Sequence, residues 1–420
     1  MTKTTLTQLA TNPSCMDDYD PNAMSVQQAR HFIQQFLNPI VETETLSIRD
    51  SLGYILAEDV ISPSNVPNHH NSAMDGFAYQ HSDGIKMIKI IGTAFAGRPF
   101  SQNVKAGECV KIMTGAMIPQ GADTVVMQEK TVNKGEYIHV LEAPTKGANV
   151  RLAGEDLKIG EVVLHKGHQI QAADMGLLAS LGIDQIAVNR QLKVAFFSTG
   201  DELVSVGKPL KKGQVYDSNR YTIYGMLSQL NTCITDLGVV PDIPDLLEKT
   251  LLDAALHHDV IITSGGVSVG EADYMKTLLA KHGEVLFWKI NMKPGRPLAY
   301  GKVGHAHYFG LPGNPVSTMV TFYQFVKQAL WQLMGRTTST SPMFMLPCSA
   351  PIKKAKGRTE FQRGVLFEEN KQWKVKPLAN QGSGILSSMS KANCFIVLDE
   401  SVGDCEIDTL VNIQPFSGAI

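Results

Sequence analysis

The stretch with the most chemistry in this chain is HDVIITSGGVSVGEADYM, residues 258–275. Asp259–Thr263 is a short β-branched apolar run and predicts a buried strand. Ser264-Gly265-Gly266 and Val267-Ser268-Val269-Gly270 follow, and Glu271, Ala272 and Asp273 open a helical pattern. A strand, a glycine turn and a helix start gather backbone N–H donors at one point, which suits phosphate. The carboxylates would repel a bare phosphate, so a bridging divalent cation reconciles them. An ordinary tight βα turn with acids favouring the helix dipole fits the same residues, and no P-loop pattern is present.

Other clusters have the same character. Asp201-Glu202, Asp242, and Glu271 with Asp273 each follow a predicted strand of one sheet, a donor set suited to Mg²⁺. Lys289, Lys293 and Arg296 lie in KINMKPGRP (289–297), where Pro294, Gly295 and Pro297 forbid a helix. A rigid basic loop of this kind suits an oxyanion. GLPGNP (310–315) predicts a stiff turn before a helix, with Asn314 as N-cap and Pro315 at the first helical position. NSAMDG (71–76) and MTGA (113–116) are small-residue loops holding Asp75 and Thr114, which by themselves read as turns. Arg358, Arg363 and Ser383 read as surface polar residues by default.

These residues need a scaffold. Ser25-Val26-Gln27-Gln28 is a capping-box pattern opening a helix to about Leu37, and a second helix is predicted over Ser51–Val60. Short strands follow at Met87–Ile91, Cys109–Met113, Thr124–Met127 and Tyr137–Leu141, then a helix at Ala172–Leu181. Past Asn189, strands at Lys193–Ser198, Cys233–Val240, Val260–Thr263, Val285–Ile290 and His307–Gly310 alternate with helices at Arg220–Leu230, Pro244–His257, Tyr274–His282 and Thr318–Leu333. That alternation predicts a parallel sheet covered on both faces, with ligands at the strand C-termini. From Ser341 onward only strands are predicted: Phe344–Leu346, Glu360–Leu366, Trp373–Val375, Phe395–Leu398 and Leu410–Ile413. The domains expected are a polar tail (1–20), a helical linking domain (21–62 with 149–190), a small β domain inserted into it (63–148), an α/β domain (191–337) and a C-terminal β domain (338–420).

The 420 residues carry a formal charge of -2 and are 43% hydrophobic, an ordinary globular balance that argues against a nucleic-acid binder. No apolar run approaches a membrane span and the N-terminus lacks a secretory pattern, so a cytoplasmic setting is expected. The six cysteines show no C-x-x-C, which argues against a zinc site or disulfide framework.

Read together, NSAMDGFA (71–78), IMTGAMIPQGADTVV (112–126), AGEDLKIG (153–160), FFSTGDEL (196–203), YDSNR (216–220), TSGGVSVGEADY (263–274), KPGRPLAYG (293–301), GLPGNPVS (310–317) and GRTEFQRG (357–364) resemble the MoeA family of molybdopterin molybdenumtransferases, which includes the C-terminal domain of gephyrin. The resemblance implies a central MoaB/MogA-like α/β domain with a parallel-type sheet, a helical domain carrying an inserted β domain, and a C-terminal β-barrel-like domain. It implies an elongated homodimer with a shared active site, transient contact with the molybdopterin adenylyltransferase, and insertion of molybdate into adenylylated molybdopterin with Mg²⁺ and release of AMP. Carried over by motif, Asp75, Thr114, Glu202, Asp242 and Asp273 are active-site acids and a hydroxyl, the last three acids also metal ligands. Gly265, Gly266, Ser268, Pro312, Asn314 and Pro315 hold pterin and phosphate. Lys289, Lys293, Arg296, Ser317, Arg358 and Ser383 hold molybdate, with Arg296 standing where many relatives carry Lys. Two alternatives stay open beside it: a scaffold that keeps this fold without catalysis, and a nucleotide pyrophosphatase on a similar α/β domain.

Overall fold

A computed structural model describes residues 24–265, 273–337 and 341–416, with only the backbone of Asp273, Lys276 and residues 286–288. The tail, Gly266 and Ser268 therefore lie outside the described residues. The described residues form two compact units, one of 45–52 and 56–188, the other of 24–44, 53–55 and those described from 189 onward.

Helix α1 (Val26–Gln35) belongs to the second unit. Ser25 Oγ accepts from the Gln28 N–H at 3.2 Å and Gln28 Oε1 from the Ser25 N–H at 2.9 Å, the capping box the sequence predicts. Its inward face carries Val26, Ala29 and Ile33.

The first unit is built on a six-stranded sheet of β1 (Gly76–Tyr79), β2 (Met87–Ala94), β3 (Glu108–Ile112), β4 (Thr124–Met127), β5 (Thr131–Lys134) and β6 (Tyr137–Val140), in the order β4-β1-β3-β2-β6-β5. Only β2 and β3 run parallel, across an irregularity at Ile90/Gly92. Helix α2 spans Ala172–Ser180. The helix expected over Ser51–Val60 is absent. Leu56 instead bridges Val188, and the Ala57 N–H donates to the Ala187 carbonyl at 3.0 Å, so an extended partner satisfies this backbone in place of a helical turn.

In the second unit the sheet order is β8-β7-β9-β13-β12-β10, from β7 (Lys193–Thr199), β8 (Cys233–Val240), β9 (Val260–Ser264), β10 (Gly283–Lys289), β12 (Pro297–Val303) and β13 (Ala306–Leu311). The first four strands are parallel, as expected. Only β12 is reversed, antiparallel to both β13 and β10, so β10 points the same way as the first four. The sheet is mixed, and the sequence reading missed β12 because its start on Pro297 reads as loop. The central strands are apolar throughout because both faces are covered. Val194, Phe196, Val260, Ile262, Phe309 and Leu311 enter one core, while Ala195, Phe197, Ile261 and Tyr308 enter the other. The first core is closed by α1, by α3 (Ser218–Ser228) and by a helix running α6 (Pro315–Thr321), a π-helical turn (Phe322–Val326) and α7 (Lys327–Leu333). The second is closed by α4 (Pro244–His257) and α5 (Asp273–His282).

The C-terminal sheet runs β11-β15-β17-β18-β14, from β11 (Met292–Lys293), β14 (Phe344–Pro347), β15 (Thr359–Glu369), β17 (Cys394–Leu398) and β18 (Leu410–Pro415); β16 (Gln372–Pro377) pairs β15. A bridge between Cys348 and Val375 brings the β14 end back toward β16 and curls the sheet. A short helix, α8 (Leu386–Lys391), which the sequence reading did not include, precedes β17. Phe361, Phe395 and Val397 of this sheet reach into the same core as Phe196 and Ile262, which ties the sheet to the α/β layer.

Candidate active site

Three chain turns meet at the carboxyl ends of the parallel strands. Strand β7 ends at Thr199, β9 at Ser264 and β13 at Leu311. Gly265 has φ +90°, and a Cβ there would lie 2.5 Å from the Thr199 carbonyl oxygen. Only glycine fits that approach. Its N–H donates to the Leu311 carbonyl at 3.2 Å, and a Cβ on Gly313 would lie 3.9 Å from the Gly265 Cα. The backbones of the two turns are thus in contact. Pro312 is buried, while Gly313 and Asn314 are exposed. Asn314 occupies the N-cap position and Pro315 the first position of α6, as predicted, but the Asn314 side chain makes no capping bond. Capping therefore does not explain that side chain.

Glu202 lies just beyond β7, with its carboxylate folded over Gly200. Asp242 lies just beyond the neighbouring strand β8, and Asp273 opens the helix that follows β9. The three acids thus follow adjacent strands. Among the described residues no group of three His, Cys, Asp or Glu converges as a metal site, and the Asp273 side chain is outside them. Carboxylate oxygens are the donor type a hard cation such as Mg²⁺ requires.

A second cluster adjoins α6. The Val316 N–H donates to the Ser383 carbonyl at 3.0 Å, which places Ser383 against the first turn of α6, one residue from Ser317. Gly295, at φ +95°, sits against the same turn. A Cβ there would lie 2.6 Å from Thr321 Oγ1 and 3.4 Å from the Ser317 carbonyl oxygen. The basic loop is closed by the Ile290 N–H donating to the Arg296 carbonyl at 2.7 Å, and β11 inside it pairs with Thr359 and Glu360 of β15. It is therefore less of a free loop than 289–297 suggests. Lys289 ends β10, and Lys293 Nζ lies 3.3 Å from Oε1 of the buried Glu360. Both Lys289 and Arg296 already have interaction partners.

Arg363 corrects the default surface reading. It is 1% exposed, and burial lowers it to about 10. Its Nε donates to Ser388 Oγ at 3.1 Å and its Nη2 to the Gly382 and Asn380 carbonyls at 3.1 and 3.3 Å, so it holds the loop that carries Ser383. Arg358, assigned to molybdate by motif, is partly exposed and has an interaction partner of its own. The signal for Arg363 lay in the same motif, GRTEFQRG, five residues further on. Glu360 and Thr321 were also missed.

In the first unit, Asp75 and Thr114 form a local pair. Asp75 Oδ1 accepts from the Thr114 N–H at 2.7 Å and from Thr114 Oγ1 at 2.8 Å. The backbone N–H, then the hydroxyl, hold the exposed Asp75 carboxyl below the usual range. These loops are more than turns, because the pair fixes one carboxylate as an anion at the surface.

A two-faced α/β sheet whose strand ends carry touching glycine turns, beside a cluster of hydroxyls and cations, has the architecture of α/β proteins that bind small molecules at their strand ends. Residues 24–182 match the MoeA N-terminal region (domains I and II), 195–332 the probable molybdopterin-binding domain and 346–416 the MoeA C-terminal region (domain IV). The molybdopterin molybdenumtransferase of Haemophilus influenzae is 45% identical, over 94% of this chain and 99% of its own length. Gephyrin of Dictyostelium discoideum is 35% identical over 88% of this chain and 59% of its own length. The crystal structure of the molybdopterin biosynthesis moeA protein of Pyrococcus horikoshii superposes with a TM-score of 0.83 at 28% identity, over 94% of this chain and all of its own. The chain belongs to the MoeA family of molybdopterin molybdenumtransferases, and it is an enzyme of molybdenum cofactor biosynthesis.

Proposed function

We propose that this enzyme inserts molybdate into adenylylated molybdopterin and releases AMP, assisted by Mg²⁺. The observation that carries the reading is the adjacency of two different sites on one helix start. The Gly265 and Gly313 turns offer backbone to a phosphorylated ligand, and the first turn of α6 receives Gly295 and Ser383, with the buried Thr321 hydroxyl one turn further along the helix beside the basic loop. Molybdate is a tetrahedral dianion without an apolar part, so hydroxyls and charge-assisted donors must hold it. Ser317, Ser383, Lys293 and Arg296 are the groups assigned to that task, with Arg363 fixing the Ser383 loop. Glu202, Asp242 and Asp273 would hold Mg²⁺, which neutralises charge developing on the phosphoanhydride as AMP departs. Asp75 and Thr114 of one subunit complete the cleft of the other in a homodimer. The protein acts in the cytoplasm, receiving its substrate from the adenylyltransferase that makes it. Among the described residues no helix is long and apolar enough to cross a membrane. The test is mass spectrometry of the small molecules formed from adenylylated molybdopterin, molybdate and Mg²⁺. AMP and molybdenum-loaded molybdopterin, formed in equal amounts, are the expected products. AMP release that is indifferent to molybdate would support the pyrophosphatase alternative instead.

A further inference from the structure

The motif YDSNR (216–220) has no role in the site described above, yet one of its residues touches both glycine turns. Asn219 is the second residue of α3 and is 8% exposed. Its Nδ2 donates to Ser264 Oγ at 2.7 Å and to the Gly313 carbonyl at 2.7 Å. The Gly313 carbonyl can only accept, so the amide orientation is fixed and both Nδ2 hydrogens are used. Ser264 immediately precedes Gly265. One side chain therefore joins the turn after β9 to the turn after β13.

Two further observations separate this from an ordinary buried amide. Among the described residues, Asn219 Oδ1 is sealed from solvent without a hydrogen-bond partner, as are Ser198 Oγ and Asp217 Oδ2. Ser198 stands beside Ser264 in register on the neighbouring strand, and Asp217 is the N-cap of α3. Packing alone does not account for a buried amide acceptor that no described protein group satisfies. The helix behind it is fixed, with Ile223, Met226 and Leu227 buried in the core against β7 and β9. Asn219 is thus carried by an element anchored in the core and reaches across to both turns.

We propose that Asn219 is a positioning residue that sets the spacing between the Gly265 and Gly313 turns, so that both face one phosphate of the substrate. The inference rests on the proposed reading of these turns as the phosphate-holding part of the cleft. It requires no contact between Asn219 and the ligand.

The experiment titrates AMP and molybdate separately into the intact protein and into Asn219→Ala. Asn219→Ala is expected to weaken AMP by about tenfold or more, since small misplacements of holding groups are costly, and to leave molybdate within about twofold. Ser264→Ala removes one of the two bonds and is expected to give a smaller loss for AMP alone. It also keeps the test valid if Asn219→Ala does not fold. Equal losses for AMP and molybdate, or no loss for either, would show Asn219 to be a core amide and overturn the proposal. If the unaltered protein binds molybdate but not AMP, the phosphate reading of the turns fails first and takes this inference with it.

Discussion

At the scale of single residues, Lys293 has two partners to serve. It is assigned to molybdate, yet its ammonium lies 3.3 Å from Glu360, whose carboxyl is 5% exposed and also accepts from Gln362 Nε2 at 2.9 Å. Removing the lysine therefore does two things. It takes a cation from the proposed oxyanion site, and it leaves a buried carboxylate short of a donor, at about 1–3 kcal/mol. Lys293→Ala should weaken molybdate binding and lower the unfolding midpoint together. Adding Glu360→Gln should recover most of the stability and none of the molybdate affinity. Titration calorimetry and urea denaturation of the single and double variants separate the effects. Recovery of molybdate affinity in the double variant would show that Lys293 serves Glu360 and not the substrate. Arg363 shows why the sequence was a poor guide to such residues. A charged side chain reads as surface by default, and nothing local reveals that the Asn380–Gly382 carbonyls will supply its partners.

At the scale of elements, the contact between the basic loop and α6 depends on a missing side chain. Gly295 combines φ +95° with a Thr321 hydroxyl 2.6 Å from where a Cβ would stand. Gly295→Ala should push the loop off the helix and abolish molybdate binding. Gly304, at φ +58° with nothing within 4 Å of its would-be Cβ, is the control. Gly304→Ala meets only backbone strain, on the order of 1 kcal/mol, and should leave molybdate binding unchanged. Equal behaviour of the two variants would refute the contact argument. The β12–β13 hairpin holds a pH-dependent element. Burial lowers His307 to about 4, and Tyr300 Oη lies 3.3 Å from its Nδ1. The unfolded chain takes up this proton near pH 6.5 and the folded one does not. The stability the neutral ring contributes is therefore complete above pH 6.5 and is lost as pH falls toward 4, by about 3 kcal/mol. Urea midpoints across that range should fall steeply in the unaltered protein and less in His307→Gln. These elements also mark what was legible. β7 and β9 were readable because strands buried on both faces are continuously apolar. β12 was not, because it begins in a Pro-Gly-Arg-Pro run. Over Ser51–Val60 the helical signal yielded to long-range pairing with residues 187–189, which no local pattern contains.

At the scale of the whole molecule, the question is where the Asp75–Thr114 pair works. It lies in one compact unit, and every other assigned residue lies in the other unit. The pair is a self-contained device. Two donors from Thr114 hold one Asp75 oxygen and keep the carboxyl ionised, so it delivers a fixed negative charge to whatever surface it meets. If that surface is the cleft of a second copy, each active site draws on two subunits. Asp75→Ala and Asp273→Ala proteins would each be inactive as pure dimers. After subunit exchange, a mixed dimer would contain one cleft bearing both changes and one bearing neither. With equal amounts and random pairing, half the dimers are mixed and one of their two clefts is intact, so activity should return to about a quarter of the unaltered level. If each cleft were built from a single chain, every cleft in the mixture would carry one change and no activity would return. The measurement is AMP release after mixing, with exchange verified by native mass spectrometry of differently tagged subunits. Exchange without recovered activity would assign the whole site to one chain.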